Sequence, residues 1–122
     1  MSEYFEYKYL VNDTFCAAMI NENLACNAAV AECFFDFQSL LIGEKNARAL
    51  AIYSEALVKL ADYEGNVEPF IIDYKRLLKL CDSVSIDELL DENEREYFNR
   101  DMKIINEAFS EKALGYTEVR KH

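Results

Sequence analysis

Apolar residues recur along most of this chain at the three-and-four spacing of helices, and the pattern predicts four long helical segments. The first is expected from about Thr14 to Leu41, with Asn12 or Asp13 as N-cap and Phe15, Met19, Cys26, Ala29, Cys33, Phe37 and Leu40 in register. Ile20, Leu24, Ala28, Ala31, Phe34 and Leu41 lie on its other faces. A helix apolar all round is surrounded by neighbours, so this segment is expected to be the central one, with a bend near Asn21 to Asn23.

The second segment, about Glu44 to Glu64, aligns Leu50, Tyr53, Leu57 and Leu60. The third, about Val67 to Cys81, aligns Phe70, Ile71, Tyr74, Leu77, Leu78 and Cys81. The turn between them, Glu64-Gly65-Asn66, is short enough to impose an antiparallel helical hairpin. Ser85-Ile86-Asp87-Glu88 reads as a capping box opening a short helix through Leu90. The last helix, about Glu92 to Leu114, aligns Phe98, Met102, Ile105 and Phe109.

Glycine and proline agree with this punctuation: Gly43, Gly65 and Gly115 follow periodic segments as C′ residues, and Pro69 falls in the first turn of the third. The beginning of the chain departs from it. Phe5, Tyr7, Tyr9 and Val11 alternate with Glu6, Lys8 and Leu10 at strand period, with no second strand to pair. Residues 1–13 are therefore expected to form an extended or helical aromatic arm on the bundle, or a strand completed by another chain. A frayed tail is expected at 116–122. The fold class is all-α: a compact bundle of about four to five helices around a central hydrophobic helix, in one domain over 1–122. The pair at 47–81 has the length of a tetratricopeptide unit but lacks its tryptophan, glycine and proline pattern.

Composition narrows the chemistry. The four cysteines include no C-x-x-C pair, and Cys26 and Cys33 on one helix would stand roughly 10 Å apart, too far for a bridge. With His122 as the single histidine, neither a zinc ligand set nor a cysteine or serine nucleophile with its base is present. No Glu-x-x-His di-iron motif and no phosphate-cradling glycine loop occur. Glu32 and Asp36, four apart, form a carboxylate pair of a kind common on helices. A non-enzymatic protein without metal or cofactor is expected. The apolar runs are too short for a membrane span, and Met1 to Glu6 lacks the basic and apolar regions of a secretory signal, so a cytoplasmic location is expected.

Charge supplies the positive signal. The net charge is −10, which opposes direct binding to nucleic acid or anionic membrane. Between residues 82 and 96, seven acids (Asp82, Asp87, Glu88, Asp91, Glu92, Glu94, Glu96) stand against Arg95 alone, a net of −6. Helix starts attract some of these acids through the macrodipole. From Lys45 to Lys79, by contrast, six basic residues stand against five acids, so the charge is polarised.

The partner expected from this pattern is a protein with a basic surface. The corresponding function is a stoichiometric inhibitor that occupies a nucleic-acid-binding site, as nuclease, anti-CRISPR and immunity-type inhibitors do, by nucleic-acid mimicry. The alternative is a homo-oligomeric structural or regulatory adaptor that uses the aromatic cluster Tyr4, Phe5, Tyr7 and Tyr9 as its interface.

Overall fold

A computed structural model describes the backbone of residues 2–121 and the side chains of residues 2–110. About 80% of it is helical, and no strand occurs among the described residues. The order is α1 (Glu3–Ile20), α2 (Cys26–Asp36), α3 (Ala47–Asp62), α4 (Ile71–Ser83), α5 (Ile86–Leu89) and α6 (Glu92–Lys121), with single 3-10 turns at Gln38–Leu40 and Glu68–Phe70. None of the described helices is long and apolar enough to cross a membrane.

The all-α bundle expected from the sequence is present, but its centre lies elsewhere. Every residue from Ala49 to Val58 is buried, so α3 is the central helix, packed against α1, α2, α4 and α6. The segment expected as a single central helix is two helices, broken at 21–25, where Asn23 adopts a left-handed φ of 57°. Asparagine tolerates that conformation better than most residues. The break falls where a bend was expected, but it separates Cys16 on α1 from Cys26 and Cys33 on α2.

Of the forms expected for the N-terminal arm, the structure shows the helical one, continuous with the helix that follows. Residues 3–13 are the first turns of α1, started by Ser2, whose Oγ accepts from the Phe5 backbone N–H at 3.2 Å. Tyr4, Val11, Phe15 and Ala18 are buried on one stripe, with Lys8 in register between the first two. A lysine on that stripe disguises the helical period and leaves the local alternation of aromatics as the visible pattern.

The α3–α4 hairpin forms as expected, with a different residue at its pivot. The left-handed position after α3 belongs to Glu64 (φ 54°), and the Glu64 and Gly65 amides donate to the Ala61 and Leu60 carbonyls at 3.3 and 2.7 Å. This is a Schellman closure with glutamate at C′. Gly65 is needed for space instead: a Cβ there would stand 2.8 Å from Asn27 Oδ1 and 2.9 Å from Leu60 Cδ2. Asn27 occupies that space because its side chain clamps the turn, donating to the Asn66 carbonyl at 2.7 Å and accepting from the Asn66 N–H at 2.9 Å. The α6 backbone continues through Gly115 to Lys121, so no stop falls at that glycine. The side chains of the tail expected at 116–122 lie outside the described residues.

Candidate functional site

The acidic stretch runs from the end of α4 through α5 into the first turn of α6. Asp82, Asp87, Glu88, Asp91, Glu92 and Glu96 are exposed, whereas Glu94 is buried. The short helix expected after Ser85 is present as α5, but the reciprocal capping box lies at the start of α6. The Asp91 N–H donates to Glu94 Oε1 at 2.8 Å, and the Glu94 N–H donates to Asp91 Oδ1 at 2.9 Å. Ser85 precedes α5 without a side-chain cap bond.

Arg95 takes up a third acid: its Nε lies 3.5 Å from Asp87 Oδ1, and its Nη1 donates to the Leu90 carbonyl at 2.8 Å. Two of the seven acids therefore start a helix and one is paired. Asp82, Glu88, Glu92 and Glu96 remain exposed and, among the described residues, have no hydrogen-bond or ion-pair partner. Glu92 and Glu96 are four apart on α6, which places them on one face. Beside Asp91 and Glu94 a shallow hollow of about 400 Å³ reaches Glu3 and Asn46, so the starts of α1, α3 and α6 meet there. The positive ends of those helix dipoles favour carboxylates at this end of the bundle.

The aromatic cluster of the first segment is placed differently. Tyr4 is wholly buried and meets Phe98 edge-on at 6.4 Å; Phe5 meets Tyr97 at 5.4 Å and Tyr7 meets Phe37 at 6.5 Å. Three of the four rings fasten α1 to the bundle, which leaves Tyr9 as the exposed one.

The structure also assembles a charge cluster with no counterpart in the sequence reading. Lys8 Nζ of α1 donates to Glu55 Oε1 of α3 at 2.6 Å and to Asp101 Oδ2 of α6 at 2.5 Å. Lys59 Nζ lies 3.0 Å from the other Glu55 oxygen. The two carboxylates are about 5% exposed, so the four charges form a nearly dry, neutral set that ties three helices together. Burial is the largest influence on Lys8 and lowers its pKa, but Glu55 and Asp101 together outweigh it and hold the ammonium above its ordinary range. Burial pushes the Asp101 carboxyl up, with Lys8 opposing. Tyr4 Oη is buried beside the cluster without a hydrogen-bond partner among the described residues, and desolvation raises that phenol to about 12.

The sequence carried a signal for this cluster. Asp101 sits between Phe98 and Ile105 on the apolar stripe of α6, as Lys8 does between Tyr4 and Val11 on α1. Complementary charges on two buried stripes imply that the stripes meet.

Glu32 is half-buried and Asp36 exposed, next to the buried Cys33, whose thiol desolvation drives to about 12. Cys81 is raised by burial to about 11. All four cysteines are free thiols, and among the described residues no three His, Cys, Asp or Glu side chains are grouped to hold a metal ion. Comparison with known protein families, curated proteins and solved structures finds no match.

Proposed function

We propose that this protein is a non-enzymatic binding module that docks its 82–96 edge onto a basic, nucleic-acid-binding surface of another protein and so inhibits it. One observation supports the reading most directly: Asp82, Glu88, Glu92 and Glu96 are exposed and unpartnered within one short stretch. Helix starts account for Asp91 and Glu94, and Arg95 accounts for Asp87. Glu88 and Glu92 also lie in the first turns of α5 and α6, but their carboxylates make no cap bond, so with those of Asp82 and Glu96 they remain available to a partner. Carboxylates held on a rigid helical frame pay little ordering cost when they meet lysine and arginine, and they steer the encounter.

The test uses the protein as bait for its target, then measures association with that target. Fast association that slows as salt rises is expected, because exposed charges are screened beyond about 8 Å at physiological ionic strength. Nucleic acid should compete for the same site. Changing Asp82, Glu88, Glu92 and Glu96 to lysine spares the capping box and the Arg95 pair, so the fold should survive while association slows. A folded variant that associates as fast as the wild type would refute the proposal.

A further inference from the structure

Beside the acidic edge lies a surface of opposite character. Two adjoining hollows of about 630 and 240 Å³ share Leu41, Gly43, Tyr53 and Arg76, and form one cleft between α4 and the segment from the end of α2 to the start of α3. Its apolar wall is strongly exposed: Phe35 is 67% and Ile42 is 79% accessible. Lys45, Arg76 and Lys79 are exposed along it. Asp73, 3.9 Å from Arg76, and Glu44 also line the cleft and offset part of that charge, leaving three cations against two carboxylates. In a chain of net charge −10, a cleft with three exposed cations and two bare apolar side chains is the region best suited to receive an acidic segment.

This molecule displays such a segment itself. The cleft continues along α4 to Lys79, Leu80 and Ser83, and the acidic edge begins at Asp82 on the same helix. We infer that the cleft is a self-association site, in which the 82–96 edge of a second copy lies against Lys45, Arg76 and Lys79 and shields Phe35 and Ile42 from water. Neighbouring patches of opposite sign suit a two-fold pair: the edge of each copy meets the cleft of the other, and the contact closes at two copies instead of growing into a fibre. Long-range repulsion between two acidic molecules opposes this pairing at low salt, and screening leaves the short-range complementary contacts in force. The pairing hides the same edge that the proposed target would occupy, so dimer and target complex exclude one another.

Sedimentation equilibrium from micromolar to millimolar concentration tests this, using two reversed variants. One carries Glu88→Lys, Glu92→Lys and Glu96→Lys on the edge; the other carries Lys45→Glu, Arg76→Glu and Lys79→Glu on the cleft. Wild type should dimerise reversibly. Each variant alone should be monomeric, because each presents like charges to itself, with dissociation constants raised roughly tenfold or more. Mixed in equal amounts the two should pair, since edge and cleft are again complementary on both sides. Melting curves verify folding, and Arg76→Gln with Lys79→Gln serves as a milder cleft variant. The cleft variant leaves the edge intact, so it should bind the captured target at least as well as wild type, which separates this inference from the proposed inhibition. Wild type that stays monomeric over the whole range, or a dimer that neither reversal weakens, would overturn the inference. So would a monomer whose cleft binds a synthetic acidic, phenylalanine-bearing peptide, because the occupant would then be a different protein.

Discussion

Replacing Lys8 by methionine should be among the most damaging single changes to this fold. The substitution leaves Glu55 and Asp101 facing each other, both about 5% exposed, with Lys59 in contact with Glu55 and only the exposed Arg100, at 4.0 Å, beside Asp101. Removing one partner of a buried ionic set costs about 3–5 kcal/mol, because the remaining charge stays desolvated and poorly opposed. Domains of this class have total stabilities of about 5–15 kcal/mol. At roughly 3–6 °C per kcal/mol for a chain of this length, melting should fall by roughly 10–30 °C. The companion variant Lys8→Met with Asp101→Leu removes one charge of each sign and leaves the Glu55–Lys59 pair. Well-packed apolar replacements of buried ion pairs are often neutral or better, so the double variant should recover to within about 1–2 kcal/mol of wild type. Urea unfolding followed by far-ultraviolet circular dichroism gives both numbers and their coupling. A Lys8→Met loss below about 1 kcal/mol would show that water solvates the cluster, and the reasoning would fail.

Other outcomes follow from local geometry. Gly65→Ala should destabilise by about 1–3 kcal/mol, since the new Cβ drives into the Asn27 clamp, whereas Glu64→Gly next to it should stabilise by about 0.5–1 kcal/mol by relieving a left-handed φ; chemical denaturation of both variants decides, and equal effects would contradict the assignment of the two roles. Stability should decline in alkali. Cys33, Cys81, Tyr4 and Lys8 all have folded pKa values above their ordinary ones, so their contribution is complete below the unfolded thiol value near 9.0 and is lost as pH rises through the folded values. Unfolding measured from neutral pH to about 11 should show this fall, and a flat profile would contradict it. Thiol titration of the native protein should leave Cys33 the slowest of the four, because it is fully buried.

The parts of the fold legible in the sequence are those where polar and apolar residues segregate cleanly. α4 shows its stripe, and the α3–α4 turn could only be a hairpin. The first forty residues were harder. α1 carries Lys8 on its buried stripe and aromatics on several faces, so a short window shows alternation before it shows a helix. Small apolar residues on all sides of the Ala17 to Ala31 region imitate a central helix, although Ala17, Ala28 and Ala31 are exposed. The true centre, α3, contains Ser54 and Glu55 within its buried run, so its sequence shows a single apolar stripe instead of an apolar surface all round.

The candidate site was legible as a charge excess but not in its division of labour. The short helix after Ser85 and the start of α6 at Glu92 fall where the sequence put them, but the capping box closes at Asp91 and Glu94, which commits those two acids instead of leaving them free. The cleft's cations Lys45, Arg76 and Lys79 belong to the basic segment visible in the sequence, but the cleft itself was not legible. It forms between Arg76 and Lys79 of α4 and the distant residues Phe35, Ile42 and Lys45, and no local pattern brings those together.

The most direct test of the proposed role is paired capture from native lysate, with the wild type and the Asp82, Glu88, Glu92 and Glu96 to lysine variant as baits at equal loading and verified fold. The expected result is a nucleic-acid-binding protein retained by wild type, eluted by salt or by competing nucleic acid, and absent or strongly depleted on the variant. Equal recovery of the same partner by both baits, resistant to salt and to nucleic acid, would contradict the proposal that the acidic edge is the docking surface.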